Sequence, residues 1–249
     1  MVSTKSTMRV GTLFTVLATH LTLGVCLFDQ PRNWIHPNWN LLPTDSCGQV
    51  APDDGLRPRV LGGVAVDIAE YPWMAYVEDV ISNGSNTKSI PCGGSIISDK
   101  YILTAAHCFM HKEISSGQFL RKKTNVMLGE HAVSHFSYCV SHRCASPPVK
   151  VTADRLYVHP EYTEVNPLTG VYSDNDIALV RLEHPITFTD NIRPICLPTA
   201  YGKYMQLLAE ATYIAAGWGT KTPGGPTSDI LMAVKVPVVS NEACEIFPH

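Results

Sequence analysis

A chain of 249 residues that is 45% hydrophobic and 16% charged has the apolar material for a sizeable core and too little charge for a disordered segment. Its formal net charge of −3 lends no support to a polyanionic partner such as nucleic acid. Seventeen glycines and eighteen prolines suit a turn-rich β protein better than a helical bundle. The eight cysteines make the redox compartment the next question.

Lys5 and Arg9 precede an apolar stretch from Val10 to Leu27, with the small residue Gly24 near its end. A basic start, a short apolar run and a small residue read as a secretory signal over residues 1–26. An uncleaved anchor is the alternative, but His20 and the threonines weaken a spanning segment. No other stretch is long and apolar enough to cross a bilayer, so the expected location is extracellular, with no membrane partner. Cys26 falls at the edge of the signal. That leaves Cys47, Cys92, Cys108, Cys139, Cys144, Cys196 and Cys244. An odd number in a secreted protein implies a free thiol, an intermolecular bridge or a missing partner.

Residues 27–59, rich in Pro, Asn and Trp, read as a pro-segment or linker. Beyond Val60 the texture changes to short apolar or alternating runs at 73–81, 89–98, 100–104, 124–129, 149–158, 176–182, 211–217 and 231–239. Turn-forming clusters such as Ser82-Asn83-Gly84-Ser85 and Pro223-Gly224-Gly225-Pro226 separate them. The pattern predicts an all-β barrel or sandwich. Thr104–Cys108 fits one helical turn, and Ser240 with Glu242 fits a helix start. Asn83-Gly84-Ser85 is also an N-glycosylation acceptor pattern on a loop.

Three local sequences carry the functional signal: Arg59-Val60-Leu61-Gly62-Gly63, Leu103-Thr104-Ala105-Ala106-His107-Cys108, and Asp174-Asn175-Asp176-Ile177-Ala178-Leu179. With Pro194-Ile195-Cys196-Leu197-Pro198 and then Gly217-Trp218-Gly219, in this order along the chain, they resemble the trypsin/chymotrypsin (S1) family of serine proteases. The resemblance runs from residue 47 to 249. Asn40-Leu41-Leu42-Pro43 before Cys47, and the extra pair Cys139/Cys144, are similar to the arthropod clip-type proteases of proteolytic cascades. The implied fold is a chymotrypsin-like double β-barrel in which residues 60–190 supply the first barrel and residues 211–239 only part of the second.

Amide hydrolysis needs a nucleophile, a base to take its proton and a group that holds the base in one tautomer. Carried over from the family, His107 is the general base and Asp176 the orienting carboxylate. An isolated His beside a Cys is ordinarily a packing or surface residue, and Asp-Asn-Asp is ordinarily a turn; the surrounding motif reverses those odds for His107 and Asp176, while Asp174 stays a turn residue. The resemblance also implies bridges Cys92–Cys108, Cys47–Cys196 and Cys139–Cys144, with Cys244 left unpaired. A metal set of His135, Cys139, His142 and Cys144 is conceivable by residue type, but thiols in an oxidising compartment usually pair with each other. No cofactor is implied. Glu130 aligns with a calcium ligand of some family members, yet nothing up to Cys139 offers a second carboxylate. His131 and His135 read as solvated.

Arg59–Val60 is the expected activation site, since Arg57 precedes Pro58 and is a poor one. The resemblance implies a zymogen cut there by another trypsin-like enzyme. It further implies hydrolysis of protein substrates after Arg or Lys, and serpin-type inhibitors as partners. The departure from the family is the nucleophile. No Gly-Asp-Ser-Gly-Gly follows Cys244, and Gly93-Gly94-Ser95 precedes His107 and sits in a strand. The protease domain is therefore expected over 60–249, incomplete at its C-terminus, and inactive as it stands. The alternatives are a non-catalytic homologue acting as a cascade cofactor or binding module, and a decayed or alternatively spliced product. Residues 28–46 hold no cysteine and cannot form a disulfide-held clip domain.

Overall fold

The computed structural model describes residues 37–50, 64–134, 139–140, 143–164, 175–197, 212–220 and 224–237, all within the compact unit Ile35–His249. The signal at 1–26, the Arg59–Val60 junction, Asp174, His135, His142, Cys244 and the helix start at Ser240 lie outside the described residues.

Strands dominate. In chain order they are β1 (Val64–Ala65), β2 (Met74–Ser82), β3 (Thr87–Ile96), β4 (Tyr101–Thr104), β5 (Leu120–Leu128), β6 (Cys139–Val140), β7 (Arg143–Cys144), β8 (Val149–Val158), β9 (Ala178–Leu182), β10 (Thr212–Gly217) and β11 (Met232–Pro237). Short 3-10 turns cover Pro37–Leu41 and Ala106–Cys108, and α1 is a single turn at Lys112–Ser115.

Six strands close a barrel in the order β2-β3-β4-β9-β8-β5, with every neighbouring pair antiparallel. Closure follows from period-two burial: along β2, Val77, Asp79 and Ile81 point inward while Tyr76, Glu78 and Val80 are part-exposed. Ala75, Val77, Ile96, Ile102, Val126, Leu128, Val180 and Leu182 form the barrel core. Gly94 belongs to the closure. A Cβ there would lie 2.7 Å from Ile102 Cγ2 and 3.1 Å from the Leu103 carbonyl oxygen, so the β3–β4 corner admits no side chain at that position.

β5 starts four residues earlier than the apolar pattern predicts. Leu120, Arg121 and Lys123 pair with Ser82, Ile81 and Val80 of β2 across a register shift. That part of the strand is exposed, and a ribbon end that buries no face needs no alternation. β6 and β7 are two residues each and carry no periodic signal.

The second layer is a three-stranded antiparallel sheet, order β1-β11-β10. Here the assignment of everything from 60 to 190 to the first barrel is corrected. Val64 and Ala65 pair with Ala233 and Met232 of β11, so the start of the domain belongs to the second sheet. A small core of Val66, Met74, Trp218 and Leu231 joins the sheet to the barrel, and Tyr76 meets Trp218 edge-on at 5.6 Å. The sheet presents Tyr213, Ile214 and Val236 to solvent, Ile214 at 51% exposure. Among the described residues, the second barrel is therefore only partly present.

Candidate active site

β4 and β9 run antiparallel with Thr104 opposite Ala178. The chain leaving β4 and the chain entering β9 therefore meet at one end of the barrel. Three residues beyond Thr104 is His107, in the turn Ala106–Cys108; two residues before Ala178 is Asp176. The pair is 69 residues apart in sequence, yet His107 Nδ1 lies 2.7 Å from Asp176 Oδ2. The His107 backbone N–H donates to Asp176 Oδ1 at 2.8 Å. Both carboxylate oxygens thus engage one residue, at its ring and its main chain. Asn175 adopts a left-handed conformation, φ 56°, as asparagine tolerates. Its side-chain amide donates to the Glu161 carbonyl at 3.0 Å, which fixes the approach to Asp176.

Burial pushes the Asp176 carboxyl up, but hydrogen bonds from the His107 ring, the His107 amide and the Ala106 amide outweigh it, and the group is held below the usual aspartate range. The His107 side chain is 59% exposed and that of Asp176 28%. More than half of the base candidate's side chain is therefore open to solvent.

Cys92 and Cys108 form a disulfide whose sulfurs lie 4.0 and 3.8 Å from His107 Nε2. These three residues are the cluster whose ligand atoms fall within 4.8 Å of one another, but a bonded disulfide offers no thiolate to a metal. The bridge closes a separation of 16 residues, worth about 3 kcal/mol on the chain-entropy model. Thr104 Oγ1 donates to the Gly93 carbonyl at 2.7 Å, tying β4 to β3 beside it. Cys47–Cys196 and Cys139–Cys144 are also bonded. The first joins residues 37–50 to the 193–197 segment, where the Gly48 amide also donates to the Pro194 carbonyl at 2.8 Å. The second removes Cys139 and Cys144 from any metal set.

Beside the disulfide, a cavity of about 390 Å³ lies between the barrel and the second sheet, lined in part by Cys92, Gly93, Trp218, Gly219, Ser228 and Asp229. Ser95 lies inside β3, paired with Met74 and Leu103, as its strand position suggests. Asn83 is exposed at the β2–β3 turn, where its Oδ1 accepts from the amides of Ser85 and Asn86.

His131 departs from its expected solvation. It is half-buried, and its carbonyl accepts from Trp218 Nε1 at 3.3 Å and from the Leu231 amide at 2.9 Å. Burial lowers its imidazole pKa and raises that of the neighbouring Glu130 carboxyl.

One cluster has no counterpart in the motifs. Asp79 is 1% exposed and occupies an inward position of β2. Arg121 Nε donates to both its oxygens at 2.8 and 2.9 Å, Thr124 Oγ1 donates at 2.8 Å, and His111 Nε2 lies at 3.1 Å. The signal available in the sequence is a carboxylate on the apolar phase of a strand, between Val77 and Ile81.

A closed antiparallel barrel, part of a second one, and a His–Asp pair at the end of the first define the chymotrypsin-like class of serine proteases. The trypsin family pattern matches residues 60–248, and the chain belongs to that family, grouping with its arthropod clip-type members. It is 37% identical over 196 residues to phenoloxidase-activating factor 3 of Holotrichia diomphalia, a span covering 75% of this chain and 50% of that one. It is 34% identical over 206 residues to the CLIP domain-containing serine protease HP8 of Bombyx mori, covering 82% and 52%. The crystal structure of the Drosophila Grass clip serine protease of the Toll pathway superposes with a TM-score of 0.60 at 31% identity, covering 80% of this chain and 51% of that one. This chain spans about half the length of these relatives. No helix among the described residues is long and apolar enough to cross a membrane.

Proposed function

We propose that the chain carries the base half of a trypsin-like endopeptidase, in a secreted zymogen of an extracellular proteolytic cascade. Asp176 holds the His107 ring with its proton on Nδ1, which leaves the Nε2 lone pair to accept a proton from an attacking hydroxyl and return it to the leaving amine. The carboxylate stabilises the imidazolium formed between those steps. The double contact of Asp176, on the ring and on the amide of His107, is the observation that carries this role.

Activation is cleavage after Arg59, which frees the α-amino group of Val60. Substrates are proteins cut after Arg or Lys, the activator is another trypsin-like protease, and serpin-type inhibitors are the natural antagonists. Relatives named for phenoloxidase activation and the Toll pathway support placement in a cascade. Asn83, exposed on its turn, is the glycan acceptor. These 249 residues hold the base and its orienting carboxylate without the Gly-Asp-Ser-Gly-Gly segment, so as a polypeptide they hydrolyse nothing.

The test treats recombinant 1–249 with trypsin. N-terminal sequencing should return Val-Leu-Gly-Gly, arginyl and lysyl peptide substrates should stay intact, and a serine-directed phosphonate should leave the chain unlabelled. Stoichiometric labelling would overturn the inactivity, and a different new N-terminus would overturn the activation site.

A further inference from the structure

His107 projects a mostly exposed ring from a three-residue turn, so the aim of the ring depends on how that turn is held. Upstream, Ala106 is fully buried and Thr104 is locked in β4. At Cys108 the disulfide to Cys92 holds the chain. Beyond that point the Phe109 amide donates back to the Ala106 carbonyl at 3.0 Å, and two further contacts hold the segment, both leading to Asp79. Arg121 Nη2 donates to the Phe109 carbonyl at 2.6 Å while its Nε spans the Asp79 carboxylate. His111, four residues after His107, reaches the same carboxylate through Nε2 at 3.1 Å. The Phe109 ring is 2% exposed in the barrel core, with the Arg121 guanidinium 5.7 Å from its centroid.

A carboxylate on the inward face of a barrel strand is costly to bury, and an aliphatic residue there would give the same strand without that cost. What the aliphatic residue would not do is hold a guanidinium at a fixed angle. The planar fork of Arg121 takes two directions at once, one to Asp79 and one to the main chain two residues past His107. We infer that Asp79 and Arg121 are positioning residues for His107: the buried carboxylate holds the part-exposed guanidinium, which clamps the Phe109 carbonyl, and so sets the turn geometry in which Asp176 can meet both the ring and the amide of His107. This rests on the reading of His107 as the base. Neither residue touches the reacting atoms.

The experiment reads the tautomer of the His107 ring by long-range proton–nitrogen NMR on 15N-labelled 1–249, with the thermal midpoint followed in parallel. In the parent chain the ring should be a single Nδ1–H tautomer, and Asp176→Asn should abolish that preference. If the parent chain lacks it, the base role fails and the inference falls with it. In Asp79→Leu/Arg121→Met the carboxylate and the guanidinium leave together, so the loss of thermal midpoint should be smaller than in Asp79→Leu alone, with the Thr124 hydroxyl and the His111 ring still deprived of their partner. The ring should nonetheless fall to a tautomer mixture. Arg121→Lys, which keeps the cation and loses the fork, should do the same and decides the matter if the double variant does not fold. A folded double variant, or in its place a folded Arg121→Lys, that keeps the single Nδ1–H tautomer overturns the clamp while leaving the base role standing.

Discussion

Thr104 of β4 sits opposite Ala178 of β9, and this one register brings His107 and Asp176 together. A slip of one residue would move every side chain of β9 to the other face, taking Val180 and Leu182 out of the core along with Asp176 out of reach. The apolar packing that closes the barrel and the polar contact at its end are therefore set by the same pairing. The core enforces the site.

The Asp176 contact has a definite pH dependence. Its carboxyl is held below the ordinary range in the folded chain. Its stabilisation is therefore fully present above the unfolded value of about 4 and is lost as pH falls through the lower folded value. Urea midpoints of the parent chain and Asp176→Asn should differ at pH 7 and converge in acid. A difference that persists unchanged below the folded value would show that the carboxylate's charge is not what holds His107.

Removing the Cys92–Cys108 bridge by a double alanine substitution should cost about 3 kcal/mol, the chain-entropy value for a loop of this size. Chemical denaturation of the two chains measures it. Because the bridge also lies against Nε2, iodoacetamide or diethylpyrocarbonate should modify His107 faster in the variant. An equal rate would mean that the sulfurs do not shield the ring.

Asp79→Ala leaves Arg121 and Thr124 facing a vacated carboxylate site. Leaving the buried Thr124 hydroxyl and His111 ring without their acceptor costs roughly 1–3 kcal/mol, more than a typical surface substitution. Thermal unfolding should detect it readily. Lys88→Ala, which breaks an exposed ion pair with Glu113, serves as the contrast and should change stability by less than about 1 kcal/mol. Comparable losses in the two would remove the distinction between the clamp and the surface.

Gly94→Ala adds a methyl group 2.7 Å from Ile102 Cγ2. Overpacking of this kind costs typically about 1–3 kcal/mol. The strain falls on the β3–β4 corner next to Leu103, so hydrogen exchange should accelerate there before it does in β8. Uniform exchange would place the damage elsewhere.

Residues 74–82, 149–158 and 178–182 announced themselves as strands through alternation, and they lie within one or two residues of where that alternation put them. The His and Asp motifs were equally legible, since short contiguous strings carry them. β5 extends beyond its apolar run because Leu120, Arg121 and Lys123 are exposed and pair with β2 without an alternating pattern. β1 lies in the second sheet and not the first barrel, a placement invisible locally because two residues carry no period and their partner is in β11, far along the chain. His131 is half-buried for a related reason: the groups that engage its carbonyl, Trp218 Nε1 and the Leu231 amide, lie at a sequence distance no local pattern records.

The amino-acid sequence alone determined the all-β class, most strand positions and the identity of the two candidate catalytic side chains. Each of these depends on local periodicity or on a short contiguous string. Only the tertiary structure decided that Asp176 grips His107 at ring and amide, that β1 closes onto the second sheet, and that an inward carboxylate on β2 reaches the turn after His107 through Arg121. Those relations join residues tens of positions apart. Strand register and barrel closure create them, and neither quantity exists until the chain has folded.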